Sequence, residues 1–372
     1  MKANVVSKSN PWLYWFAVLT ALATLALIGI GGLVTSHEAG MSVPDWPTTY
    51  GYNMFLFPIN KWLGGIFYEH SHRLLASLVG LMTTILAVWL WLKDSRPWMH
   101  WLGVAAFLLV VAQGVLGGLR VTLHMDSLGI YHATIAQLFF VLTCAIALFT
   151  SGWWNELERR PAARREDNSD GQHAGPEAGA PRRGLVLFTT ILIFFQLIIA
   201  AAMRHQHAGL AISDFPLAHG RLWPDTSAEA VARYNARRVS INAENPITAF
   251  QIELQMVHRI VALAILILTG ICAWQAWRRL GVKDSMAKLA LTWFALILFQ
   301  VGLGAATIWT NKAADVATAH VLVGALALAM GALWCAIAFR ESAAAAYDRR
   351  TKDQRSPNPA AIGAQPAMTG NK

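Results

Sequence analysis

The sequence predicts an all-α membrane protein, with eight transmembrane helices set out as two four-helix bundles in a parallel repeat. Three observations lead there. The chain of 372 residues is 55% hydrophobic and only 14% charged, whereas a soluble domain runs to about 25% charged residues. Apolar runs of about 20 residues, long enough to cross a bilayer as a helix, recur along its length. The motifs of the first half also return, in the same order, in the second.

The runs fall at 12–35, 66–92, 98–120, 129–150, 185–203, 248–277, 286–308 and 316–339. The first is too long for a cleavable signal and no small-residue cleavage site follows it, so it counts as a span. The second opens on FYEHSHR, which sets Glu69, His70, His72 and Arg73 where a bilayer makes ionisable groups costly. The third carries QGVLGGL from Gln113, and the fourth begins with YHA around His132. A polar, charged, Gly/Ala/Pro-bearing stretch from Glu158 to Arg183 then reads as a flexible cytoplasmic linker. After the fifth run, the sixth carries VHR at His258, the seventh QVGLGAA from Gln300, and the eighth AHV at His320. The expected domains are a first bundle over 1–150, a linker over 151–183, a second bundle over 184–340 and a disordered cytoplasmic tail over 341–372.

The formal charge of +9 does not read as a nucleic-acid footprint, because its distribution follows the spans. Arg159, Arg160, Arg164, Arg165, Arg182 and Arg183 crowd the linker, and Lys93 and Arg96 follow the second run. Arg278, Arg279 and Lys283 follow the sixth, and Arg340, Arg349, Arg350, Lys352 and Arg355 mark the tail. All fall on one side, so the positive-inside rule expects both termini in the cytoplasm and the histidine motifs toward the outer face of a bacterial-type inner membrane. Cys144, Cys272 and Cys335 sit in three different runs with no CxxC pair, and read as small apolar fillers.

The repeat is explicit. HRLLASLVG from His72 answers HRIVALAIL from His258, YHATIAQL from Tyr131 answers AHVLVGAL from Ala319, and AGMSVPDWP from Ala39 answers AGLAISDFP from Ala208. Each half holds four spans, an even number, so both halves enter the membrane in the same orientation.

Four histidines recur at matched places, His72 with His132 and His258 with His320. A lone histidine in a membrane helix is best read as a hydrogen-bonded interior residue or a proton relay. Two repeated pairs point instead to a shared ligand, and imidazoles facing each other across a bundle suit the two faces of a haem iron. Zinc is the weaker reading, because no Cys or carboxylate completes a tetrahedral set in the second half. Arg73 and Arg259 follow their histidines and suit haem propionates, against the plain alternative of snorkelling to lipid head groups. The glycine runs at Gly114 and Gly302 allow close approach of helices or of a flat macrocycle. Glu69 lies three residues before His72, on the same helical face, while its counterpart before His258 is Gln255. A carboxylate in one half only suits a reaction site better than plain interfacial solvation.

GGLVTSHEAGMSVPDWP (Gly31 to Pro47), EHSHR (Glu69 to Arg73), YHA, VHR and AHV together resemble haem A synthase, the membrane enzyme that supplies haem A to cytochrome oxidase. The resemblance covers residues 12 to 340. It implies oxidation of a ring methyl of haem O to a formyl group through hydroxylation steps. It implies a haem b cofactor on His258 and His320, with Arg259 beside it, and the substrate haem on His72 and His132. It assigns the catalytic acid to Glu69, which would steady positive charge developing at the methyl carbon. The implied partners are haem O, membrane lipid, a haem O synthase, an electron-transfer protein and a second copy of the chain, with no nucleic acid. Some bacterial members carry a cysteine pair in the first outer loop. Residues 36 to 65 contain none, so no thiol-dependent step is expected. His37, Glu38 and Asp45 stand there as candidates for the substrate mouth, and His205, His207 and His219 are left out of the ligand set. The competing expectation is a di-haem b protein passing electrons from a quinol without changing either haem; a haem-free assembly factor or transporter leaves the paired histidines without a purpose.

Overall fold

The computed structural model describes residues 10–159, 183–237 and 246–355. These residues are helical apart from loops, with no strand among them. The spanning helices are α1 (Pro11–Ser36), α2 (Gly65–Lys93), α3 (Pro97–Thr122) and α4 (Leu128–Thr150), then a short α5 (Gly152–Arg159). They continue with α6 (Arg183–His205), a short α7 (Ala228–Ala236), α8 (Ala249–Leu280), α9 (Ser285–Trp309) and α10 (Ala314–Arg355). Eight of them are long and apolar enough to cross a bilayer, which makes the chain an integral membrane protein. Their ends follow local chemistry. Asn10 caps α1 by accepting from Trp12 N–H and Leu13 N–H, with Pro11 at the first helical position. Thr248 and Gln251 form a reciprocal capping box on α8, and Asp284 caps α9.

Two boundaries differ from the sequence reading. The stretch expected to be linker from 151 begins with α5, and its remainder over 160–182 lies outside the described residues. Helix α10 runs on to Arg355, past the expected start of the tail at 341, through the ESAAAA stretch whose alanines favour helix.

Packing follows chain order. α1 packs on α2 and α4, with α3 between α2 and α4. α6 packs on α8 and α10, with α9 between α8 and α10. The two sets of helices meet where α1 and α4 touch α10 and where α4 touches α6. One apolar core gathers Leu13, Leu86, Leu90, Met99 and Ile146, and another Ile193, Cys272, Trp293, Trp334 and Cys335. Both lie toward the C-terminal ends of α2 and α8, and Trp293 Nε1–H ties α9 to α10 by donating to the Ala327 carbonyl at 2.9 Å. Two cysteines are thus core fillers, as the sequence suggested. At the opposite end, the packing opens. Between His70 and Val79 of α2, and between Met256 and Ile265 of α8, no residue is fully buried.

The loops at that end repeat each other in backbone detail. Left-handed residues stand at Glu38 and Tyr50 in the α1–α2 loop and at His207 and His219 in the α6–α8 loop. The Thr49–Tyr52 bridge is matched by Ala218–Arg221. The second loop additionally carries α7, on which Tyr234 stacks against His219 with ring centroids 3.7 Å apart.

Candidate functional site

All four matched histidines lie within the first three turns of their helices, α2, α4, α8 and α10, and so share one end of the molecule. His72 and His132 face each other with ring centroids 6.5 Å apart at 71°. His258 and His320 repeat this at 6.5 Å and 62°. Two metal–nitrogen bonds of about 2 Å, with roughly 1 Å more on each side to the ring centre, put imidazoles trans across one iron about 6 Å apart. Both pairs fit that spacing. Among the described residues no three His, Cys, Asp or Glu side chains gather to hold a bare metal ion, so the zinc reading finds no donor set.

The surroundings hold these rings in place. The Nδ1 atoms of all four are buried without a hydrogen bond in strict geometry. For His72, His132 and His320 a main-chain carbonyl lies alongside, from Leu27, Gln113 and Gln300 respectively. Gln113 Nε2 donates to the His132 carbonyl at 3.1 Å and Gln300 Nε2 to the His320 carbonyl at 2.8 Å, so each fixes the helix that bears the ring. Gln196 does the same for His258 at 2.8 Å. Glycines reserve the space beside the rings. A Cβ on Gly31 would stand 3.1 Å from His72 Cε1, one on Gly304 3.1 Å from His320 Cε1, and one on Gly117 3.5 Å from His132 Cε1.

Glu69 is 4% exposed, and both of its oxygens are engaged. Oε2 accepts the Val43 N–H at 2.9 Å, and Oε1 pairs with Arg73 Nη2 at 2.6 Å. Gln255 repeats the first bond, its Oε1 accepting the Ile212 N–H at 2.7 Å. What Glu69 adds to that shared bond is a negative charge and an ion pair with Arg73.

The two arginines also serve the loops. Arg73 donates to the carbonyls of Asp45 (2.6 Å), Thr48 (3.0 Å) and Val43 (2.9 Å). Arg259 donates to Leu217 (2.8 Å) and Asp214 (2.7 Å), and keeps a buried Nε–H without partner. The sequence suggested propionates for both; the structure gives three donors of Arg73 and two of Arg259 to loop carbonyls. Among the outer-loop candidates, Asp45 is a turn former, accepting from Tyr50 N–H, Gly51 N–H and the Thr48 hydroxyl. Asp214 does the same for His219 and Gly220. His37 stacks on Tyr68 with centroids 4.2 Å apart, and Glu38 is an exposed left-handed residue. His207 is likewise left-handed and exposed, while His205 packs onto Gly129 of α4.

Gln113, Gln300 and Gln196 did not enter the sequence-derived site. The first two were visible as the opening residues of QGVLGGL and QVGLGAA. Gln196 had no such signal, because the matching position in the first half is Leu27.

Residues 58–331 match the model of the COX15-CtaA family, described as cytochrome oxidase assembly protein. The chain is 27% identical over 305 residues to the heme A synthase of Shouchella clausii, covering 80% of this chain and 86% of that one. It is 26% identical over 352 residues to the heme A synthase of Rhizorhabdus wittichii, covering 85% and 91% of the two chains. To that of Caulobacter vibrioides it is 25% identical over 360 residues, covering 90% and 96%.

Proposed function

Because the chain belongs to the COX15-CtaA family of cytochrome oxidase assembly proteins, we propose that it makes haem A by oxidising a ring methyl of haem O to a formyl group. The observation that carries this reading is the pair of facing imidazoles in each half, 6.5 Å apart, with an acid beside only one pair. The first half is the substrate half. His72 and His132 would grip the iron of haem O from both faces, and Gln113 keeps His132 from sliding along its helix axis. Held by both histidines, the substrate would be kept in one place between α2 and α4, which is positioning of the kind that lowers a barrier.

Glu69 is the catalytic acid in this reading. Its charge is not needed to bury the neighbouring arginine, since Arg259 holds the equivalent loop beside a neutral Gln255. A fixed carboxylate in a water-poor site stabilises positive charge developing nearby far more than it would in water. The second half is the cofactor half. His258 and His320, braced by Gln196 and Gln300, would hold haem b, and the unpartnered Nε–H of Arg259 suits an anionic group beside it. Haem b supplies there an iron that accepts and passes on electrons. Histidines near the outer face and both termini inside the cell follow from the charge distribution of the loops.

A di-haem b electron carrier would use the same imidazoles but gives Glu69 no task. Co-expression with a haem O synthase, followed by pigment extraction from the purified protein, separates the two. The proposal expects a formyl haem; haem O recovered unchanged from fully loaded protein would refute it.

A further inference from the structure

Where the two sets of helices meet, at the histidine end, positive charge is concentrated. Arg120 lies near the end of α3, Arg204 near the end of α6, and Lys312 in the turn before α10. The guanidinium of Arg120 lies against Gly40, where a Cβ would come within 2.7 Å of Nη1, and its field reaches both His72 and His132. Arg204 crosses the seam to α1, its Nη2 donating to the Gly32 carbonyl at 2.5 Å and the Ser36 hydroxyl at 2.7 Å. The field of Arg204 reaches His320, Lys312 and His205. His205, seated on Gly129, stands within reach of Arg120 and Arg204 alike.

The acids nearby do not balance this charge. Asp126 meets Arg120 at 3.1 Å but is 60% exposed, and Glu38 is exposed as well. Burial first, and then the field of Arg204, hold the Lys312 ammonium below its ordinary value although Glu38 pulls the other way. The Nε–H groups of Arg120 and Arg204 are both buried with no acceptor. Buried guanidinium edges left without an acceptor are costly, so the seam is built for an anion.

We propose that Arg120 and Arg204 seat haem carboxylates, Arg120 those of the haem held by His72 and His132, and Arg204 those of the haem held by His258 and His320. This rests on the haem reading of the two pairs. The planar guanidinium fork matches a carboxylate, and the propionates are the anionic part of a haem. Arg73 is a poorer seat, because three loop carbonyls and Glu69 already take its Nη donors.

The test compares haem b with its dimethyl ester, which keeps the iron and loses the carboxylates. Full-length protein purified from a haem-deficient host is titrated with each, following the Soret band. Wild type is expected to prefer the diacid by at least tenfold. Arg120→Gln and Arg204→Gln are each expected to lose threefold or more of that preference, with ester binding unchanged. Lys283→Gln, an exposed change at the opposite end, is expected to leave both titrations as in wild type. Arg120→Lys and Arg204→Lys keep the charge, disturb folding least, and should retain part of the preference. Equal affinity of wild type for diacid and ester, or a preference that neither glutamine variant alters, overturns the seat while leaving the haem reading intact. Lysine variants that lose both ligands alike mark the arginines as scaffold and overturn it too. Wild type that binds neither form removes both readings together.

Discussion

Glu69 and Gln255 hold their loops by the same bond, a side-chain oxygen accepting a loop N–H at 2.9 and 2.7 Å, and differ by one charge. Glu69→Gln therefore keeps an oxygen to accept the Val43 N–H and removes the charge together with its ion pair to Arg73. The expected outcome is unchanged haem content and Soret spectrum, with formyl-haem production falling about a hundredfold or more. Pigment analysis of the loaded variant checks it, and turnover near the wild-type rate would return Glu69 to a purely structural role. The glycines make a second prediction at this scale. Gly304→Ala sets a methyl 3.1 Å from His320 Cε1, and Gly117→Ala sets one 3.5 Å from His132 Cε1. The first must tilt its ring and the second need not, so Gly304→Ala should shift the low-spin EPR signal of the second-half haem, whereas Gly117→Ala leaves the first-half signal in place. The histidines and the acid were legible in the sequence because repetition and helical spacing mark them. The task of Arg73 was not, since its acceptors are main-chain carbonyls 25 to 30 residues away and carbonyls leave no residue signature.

At the scale of elements, the two outer loops are turns built around an aspartate and pinned by an arginine. Burial pushes the Asp45 carboxyl up, yet hydrogen bonds from Gly51 N–H, the Thr48 hydroxyl and Tyr50 N–H together outweigh it and hold the group below its ordinary value. A folded value below the unfolded one means the stabilisation is complete above the ordinary carboxylate range. It drains as pH falls through the folded value, that is, below about pH 4. Amide hydrogen exchange should show protection factors at Tyr50 and Gly51 that fall in that window and are already low, without that dependence, in Asp45→Asn. Arg73→Gln removes donors to three carbonyls and the ion pair to Glu69. Loop 37–64 should become several times more sensitive to limited proteolysis while the spans remain folded, the breaking of a buried pair being the larger part of the loss. The spans themselves could be read to within a few residues from apolar length alone. The loop architecture was less legible: the AGMSVPDWP and AGLAISDFP echo marked a shared turn, but α7 in the second loop has no partner in the first and no apolar signal to announce it.

At the scale of the whole molecule, packed apolar cores at one end hold the helices, while at the histidine end no residue between His70 and Val79 or between Met256 and Ile265 is fully buried. The order of motifs revealed that two matched histidine pairs exist. It did not reveal that α1 and α4 meet α6 and α10, because that seam is made by residues without repeat partners, such as Arg204 and His205, which stand where the first half has Thr35 and Ser36. The central claim is that each imidazole pair holds one haem and that the halves hold different ones. Haem content per chain, measured by pigment extraction from cells making haem O, tests it in two double variants. His258→Ala with His320→Ala should lose haem b and keep haem O, whereas His72→Ala with His132→Ala should keep haem b and contain neither haem O nor haem A. Retention of both pigments by either folded variant would contradict the claim.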